Sequence, residues 1–437
     1  MRIPKAIFID PDRNALYGCV AIAVSMFVFA YSTNFGKLPI LVYYALWFPL
    51  LLVGYRRALG NLLKYYWILP FGILACLSVF WSNAPGVSAR AAVQYATHIL
   101  CALVAARTMN IKTLTRGTLA GVFLVLLYSL AKRTYQFDPF DGDYSFVGAF
   151  SSKNQLGFFC TIGIYFAFAS LFILGENRAW RIFAILCGAI SAVMLVKAHS
   201  ATALITIVAA LATAIGLSVL APFPPRIRKI LLAVAIVLGA GAVVAALSAG
   251  GYDLLLSAFG KNTTLTGRTY LWSQGLAAAS RNPMLGVGYQ AYWVQGFPDA
   301  ERLWREFYIA SRTGFHFHDT YIETLVELGV VGAILLSIVF IRVEVALLRR
   351  FLDDRNDRAA RIMFGLIIML VLRSFVEVDV LTPYVVGSFL LYYAAGLVAV
   401  PQAQPAIRRL LEWRASALPA SAPSRRISSP RRDAWRP

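Results

Sequence analysis

The stretch that decides the fold is ATALITIVAALATAIGLSVLA, residues 201–221, which runs for 21 positions without a charged side chain. As a helix it spans about 30 Å, the hydrocarbon thickness of a bilayer. It is apolar on every face, as a helix in lipid is and an amphipathic surface helix is not. Moving outward, only His199 and Ser200 separate it from a similar run at 182–197. Further apolar runs lie near 15–31, 38–55, 65–82, 89–106, 117–132 and 154–174 before it, and near 230–250, 319–341, 362–379 and 384–400 after it. The sequence therefore predicts an all-α, polytopic integral membrane protein of about 12 transmembrane helices.

Composition agrees: 59% of the 437 residues are hydrophobic and 14% are charged, against about 25% charged in soluble domains. A soluble enzyme and a disordered basic protein are both excluded. The formal charge of +20 first suggests nucleic acid, but its distribution does not. With the N-terminus inside and the spans alternating, inward segments hold 28 of the 41 Lys and Arg, outward segments 12, and Arg373 lies within a span. The charge is thus a topology signal that puts both termini in the cytoplasm, and no nucleic-acid partner is expected. The first span lacks a small-residue cleavage site and reads as retained rather than as a signal peptide. Cys19, Cys76, Cys101, Cys160 and Cys187 all sit in apolar runs, without metal-ligand spacing, and read as small buried hydrophobes.

Four segments follow: spans one to nine over 1–250, with an outward loop at 133–153; a large outward loop over 251–317; spans ten to twelve over 318–400; and a basic tail over 401–437. The tail, rich in Pro, Ser and Arg, reads as disordered and suited to anionic membrane lipids. The large loop is aromatic-rich, with helical stretches predicted at 268–280 and 299–311, and reads as a small helical cap.

Chemistry-bearing residues gather at the outward side. His316 and His318 stand where the large loop enters the tenth span, in GFHFHDTYIE, and a neutral His318 there suits a general base. Their i, i+2 spacing and the lack of a nearby Cys argue against a metal, and none is expected. Each of Arg268, Arg281, Arg302, Arg305 and Arg312, with Lys261, reads singly as a solvated cap residue. As a group they offer forked donors for a phosphate or pyrophosphate. Lys153 and Asn154, at the outward start of the sixth span, are placed to join them. Asp138, Asp141 and Asp143 in DPFDGD read as a solvated turn. Arg373 and Glu377, four apart, are expected to pair on one helix face, and Glu323 and Glu327 to share a face of the tenth span; such intramembrane charges line a polar site or bond between helices. His98 reads as a packing residue within the fourth span.

Three elements, in order, resemble the O-antigen ligase and O-antigen polymerase superfamily. HDTYIETLVELGVVG is similar to its H-[NS]-x-x-L-x-x-x-x-E-x-G-x-x-G signature through His318, Glu327, Gly329 and Gly332, with Asp319 and Ile322 departing. GRTYLWSQGLAAASRNPMLGVGY resembles its outer-loop element through Gly267, Arg268, Trp272, Pro283, Gly286 and Gly288, and GAFSSKNQLG resembles a third through Lys153 and Asn154. HSATA departs from the family's S-R-(T/G)-A by placing Ala201 at the arginine. The resemblance implies a glycosyltransferase of the bacterial inner membrane with a periplasmic cap and active site, and favours an O-antigen ligase. The donor would be a glycan on undecaprenyl pyrophosphate and the acceptor a sugar hydroxyl of lipid A-core. His318 would be the base and Arg268 would neutralise the leaving group, with inversion and with no metal or cofactor. A polymerase or a protein O-oligosaccharyltransferase of the same superfamily is the nearest alternative. A secondary transporter is the competing class, disfavoured because the charge clusters at one surface rather than at midplane.

Overall fold

A computed structural model describes residues 4–138, 143–250 and 267–399. The basic tail at 401–437, Lys261 and Asp141 lie outside the described residues, as do the side chains of Asp138 and Asp143. The twelve apolar runs all fall on helices. The first nine positions are carried by α1 (Ala6–Ile9), α2 (Ala15–Tyr31), α3 (Leu38–Ala58), α4 (Leu69–Leu77), α5 (Pro85–Thr108), α6 (Ile111–Lys132), α7 (Lys153–Phe168), α8 (Arg178–Lys197), α9 (Ala201–Leu220) and α10 (Pro225–Ser248), α1 being a short turn ahead of the first span. The remainder are α13 (Thr320–Asp353), α14 (Arg358–Ser374) and α15 (Val386–Ala399), after two cap helices, α11 (Arg268–Ala279) and α12 (Pro298–Glu306). Among the described residues, eight helices are long and apolar enough to cross a bilayer by themselves.

The helices pair as α2 on α6, α7 on α8, α5 on α15, and α9 on α14. Small residues permit the closest approach: a Cβ on Gly117 or Gly121 would stand 2.9 Å from the Cys19 carbonyl oxygen or 2.7 Å from that of Ala23, the close backbone contact by which helices associate in lipid. The third run is less regular than expected. Its α4 is flanked by 3-10 turns at Leu62–Tyr65 and Ser78–Phe80, the first capped by Asn61 and Pro70 opening the α-helix.

Two outward segments differ from expectation in detail. The 133–153 loop contains an antiparallel hairpin, β1 (Tyr135–Asp138) with β2 (Asp143–Phe146), pairing Tyr135 with Phe146 and Phe137 with Tyr144. The ring pairs lie 5.3 and 5.2 Å apart. The alternation in YQFD and DYSF is the sequence pattern that specifies it. In the cap, the second helix is shorter than 299–311, ending at Glu306. A separate core of Leu271, Tyr292, Leu303, Trp304 and Phe317 takes in Ile322 and Val326 of α13, so the cap is packed onto the first turns of that span.

The span α13 is itself interrupted. Gly329 adopts φ 65° and ψ −167°, which breaks the helical ladder inside an apolar segment where unpaired backbone groups are costly. Residues 283–288 repair the break. Val330 N donates to Pro283 O at 2.8 Å and Val331 N to Met284 O at 3.3 Å, while Val287 N and Gly288 N donate to Val326 O and Glu327 O at 3.0 and 2.9 Å. The same segment is held from its other side, where Asn83 N donates to Val287 O at 2.9 Å and Ser88 Oγ to Tyr289 O at 2.7 Å. A Cβ on Gly329 would lie 2.2 Å from the Met284 carbonyl carbon, and one on Gly286 2.4 Å from that of Glu327.

Gly329→Ala is therefore expected to cost more than the roughly 1–3 kcal/mol of an L-residue held in this glycine-only conformation, because the backbones must also separate. Gly86→Ala, with open space around its Cβ, is the neutral control. Thermal unfolding in detergent reads both; equal midpoints would show that the repaired break carries no stability.

Candidate active site

The site is assembled on one buried carboxylate. Glu377 follows the last turn of α14, where Glu377 N donates to Arg373 O at 2.7 Å. Because α14 stops at Ser374, Glu377 is not on the helix face with Arg373, and the expected pair does not form. Arg373 Nε instead donates to Asp379 Oδ2 at 2.5 Å, with its guanidinium 4.0 Å over the Phe158 ring. The bend after Ser374 frees the Glu377 carboxylate to turn toward three other elements.

Its Oε1 accepts from Asn154 Nδ2 at 2.7 Å and Arg268 Nη2 at 2.9 Å, and its Oε2 lies 3.4 Å from His318 Nδ1. Thr320 Oγ1 donates to the Glu377 carbonyl at 2.7 Å. Asn154 is fixed in turn by Ser200, whose hydroxyl donates to Asn154 Oδ1 at 2.9 Å and also caps α9. Thus the N-termini of α7, α9, α11 and α13 meet the C-terminal side of α14 at one end of the bundle.

Each side chain arrives by local chemistry. Ser152 caps α7 and thereby places Lys153 and Asn154 in its first turn. Gly267, at φ 82°, turns the chain into α11 so that Arg268 opens the helix. Asp319 caps α13 by accepting from Tyr321 N and Ile322 N at 2.8 and 2.9 Å, which accounts for an acid where Asn or Ser is usual. Glu323 reaches back to accept from Phe317 N at 2.8 Å. His318 itself lies at φ 54°, an uncommon backbone for a non-glycine residue, and its N–H donates to His316 Nδ1 at 3.1 Å. Glu327, one turn below Glu323, is buried with its Oε1 unpaired.

Burial would raise the Glu377 carboxyl, but His318, Arg268 and His316 outweigh it and hold the group well below the usual carboxylate range. Burial, reinforced by His318, pushes His316 down to about 3, so its imidazole is neutral at physiological pH. The other cap arginines are engaged elsewhere. Arg281 pairs with Asp299, Arg302 with Glu306 at 2.9 Å, and Arg312 with Glu301 at 3.4 Å, while Arg305 is exposed. Arg268 alone of the five touches the Glu377 cluster. One ligand atom each from His316, His318 and Glu377 lie within 4.8 Å of one another. The expectation of no metal used chain spacing, which could not foresee Glu377 as a third donor.

Residues 186–337 match the family described as O-antigen ligase. Over 420 residues the chain is 52% identical to the exopolysaccharide production protein ExoQ of Rhizobium meliloti (strain 1021), covering 96% of each chain. The chain belongs to the O-antigen ligase family. The family stretch holds Ser200, Arg268, the 283–288 segment, His318 and Gly329, whereas Asn154 and Glu377 lie outside it, and the fold brings them to it. Sequence reasoning missed Ser200, Thr320 and Asp379 as members of the site, and it weighed His316 only as a metal ligand. For Ser200 a signal was present, since Ser before an apolar helical run is an N-cap.

The His316 imidazole sets a pH dependence. Its folded pKa is depressed, so its stabilising contribution is full above the unfolded value near 6.5 and is lost as pH falls toward about 3. In that window the unfolded chain binds one proton more, a slope of about 1.4 kcal/mol per pH unit. The thermal midpoint of the native protein is expected to fall from pH 7 to pH 5, and His316→Gln to flatten that fall. Parallel curves for the two proteins would show that His316 does not titrate on unfolding.

Proposed function

We propose that the protein is an inverting glycosyltransferase that uses a polyprenyl-pyrophosphate-linked glycan, undecaprenyl pyrophosphate being the expected carrier. The observation that carries this reading is the His318–Glu377–Arg268 cluster: a base, the carboxylate that orients it and a guanidinium, together at one membrane end. With Nδ1 directed at Glu377, the His318 proton resides on Nδ1 and Nε2 is left to accept one. An acceptor sugar hydroxyl gives its proton to Nε2 as its oxygen attacks the anomeric carbon. The bond from that carbon to the pyrophosphate oxygen breaks, and the leaving diphosphate keeps the electron pair. Arg268, with an N–H on Glu377, supplies the guanidinium where that charge develops. Lys153 at the α7 N-terminus is the next cation, and exposed Arg305 faces the glycan with Arg281, Arg302 and Arg312, the last three within their ion pairs to cap carboxylates. Displacement of this kind inverts the anomeric carbon and takes its positive charge from arginine, without metal or cofactor.

The acceptor is the finer question. The 52% relative is named for exopolysaccharide production, and this favours chain elongation, with another lipid-linked glycan as acceptor, over transfer to lipid A-core. The ligase reaction is the second reading, supported by the family description. In both, the topology is that of the bacterial inner membrane, with cytoplasmic termini and a periplasmic cap, supported by the Lys and Arg bias of the loops.

Purified protein in nanodiscs, given lipid-linked glycan with and without core oligosaccharide, separates the two. Elongation without core is the expected result; transfer only to core would establish the ligase instead. His318→Ala is expected to lower turnover at least about 100-fold, the lower end of general-base catalysis, in protein that still purifies as a single species. Arg268→Ala is expected to lower kcat/KM for the donor. Near-native rates in both variants would remove the cluster from the chemistry.

A further inference from the structure

The same cluster has the donor set of a metal site. His316 and His318 supply two imidazoles and Glu377 a carboxylate, with one ligand atom from each inside a 4.8 Å span. A tetrahedral Zn²⁺ with ligands at about 2.0–2.1 Å separates them by roughly 3.3 Å, so binding draws the three side chains together. The imidazole rings already lie 4.2 Å apart, centroid to centroid. His316 Nδ1 accepts a hydrogen bond from His318 N at 3.1 Å, so that nitrogen carries a lone pair rather than a proton. Two histidines with one carboxylate and an open fourth position form a recurrent zinc-binding set.

Other groups bear on the balance. Arg268 Nη2 holds Oε1 of Glu377 at 2.9 Å, which leaves Oε2 for a metal. Its positive charge weakens the site, and so does Arg373, whereas Asp379 bonds Arg373 and offsets it. The metal must also compete with the His318 N–H for His316, and with His318 Nδ1 for Glu377. These contacts are the ones that orient His318.

We propose that His316, His318 and Glu377 form an inhibitory site for a borderline divalent metal such as Zn²⁺, which silences transfer by taking the ligands that hold the base. Binding follows from the donor set alone. The inhibitory half rests on the reading of His318 as base, so the two are measured separately.

The binding experiment uses full-length protein in nanodiscs, without glycan substrates. ZnCl₂ is titrated against a chromogenic chelator, with MgCl₂ as the hard-cation control. One equivalent of Zn²⁺ and no Mg²⁺ response are expected, with affinity in His316→Gln and His318→Ala reduced beyond the roughly tenfold that an outer-shell change already costs. No stoichiometric Zn²⁺ binding, or equal affinity in both variants, would overturn the site. His318→Ala carries this arm if His316→Gln does not purify as a single species. The second experiment measures transfer. Zn²⁺ is expected to inhibit native protein reversibly on chelation, and to inhibit His316→Gln at least about tenfold less effectively relative to that variant's own metal-free rate. Stimulation by Zn²⁺, or equal inhibition of the variant, would overturn the inhibitory role while leaving the binding result intact.

Discussion

The structure of the site depends on the Glu377 carboxylate being buried and still ionised. A carboxylate taken out of water costs several kcal/mol unless its oxygens are fully used. Here Asn154, Arg268 and His318 use them, at 2.7, 2.9 and 3.4 Å. Because the three arrive on α7, α11 and at the entry to α13, satisfying one charge fixes the relative placement of three elements and α14. Removing any one contact would leave the same buried charge less compensated, so the three contacts are coupled through it. The bonds to an ionised acceptor are individually stronger than neutral ones, but positioning is the greater consequence.

A second constraint carries that placement into the membrane. The cap could sit loosely on the helical bundle, joined only by its chain ends. Instead, residues 283–288 complete the broken backbone ladder of α13 at Gly329, and the α4–α5 turn grips the same residues from behind. Arg268 lies upstream of this graft and His318 upstream of the break, so both flank one rigid junction. The glycines that read in the sequence as two separate motif fragments, Gly286 with Gly288 and Gly329, are the two halves of a single contact. A Cβ on Gly286 would run into the Glu327 backbone and one on Gly329 into the Met284 backbone, whereas the space beside Gly288 is taken by Ser82.

Much of the fold was legible because lipid imposes a simple rule: long apolar runs must be helices, and all twelve are. The hairpin at 135–146 was legible too, in its alternation, but lay hidden within a segment treated as a loop. The cap helices were placed to within a residue for α11, while α12 ended early because Leu303, Phe307 and Ala310 suggest a face that the chain abandons at Glu306. His318, Arg268 and Asn154, each singled out from residue type and position, meet around Glu377. Glu377 was singled out for the wrong partner. Helical spacing assigned it to Arg373, and nothing local signals that α14 stops at Ser374 rather than carrying on to 379. The pairing that matters joins residues 59, 109 and 223 positions apart, a separation over which sequence spacing has no force.

The Arg373–Asp379 pair bears on the departure at Ala201. A phosphate-binding site that keeps unpaired guanidinium groups in a buried pocket would bear their desolvation cost before any substrate arrived. Here Arg268 is neutralised by Glu377, and Arg373, under the Phe158 ring, by Asp379. An additional arginine at 201 would open α9 beside Ser200, close to Asn154 and without a further carboxylate among the described contacts there. With alanine at 201 the free cluster stays balanced, and Ser200 is left to orient Asn154. On the proposed reading, the donor's diphosphate then meets guanidinium groups already fixed by carboxylates. The attraction it gains is reduced by those carboxylates, but no side chain has to be ordered as it binds. Such an arrangement favours charge that develops late, on the leaving oxygen, over charge already present in the ground state.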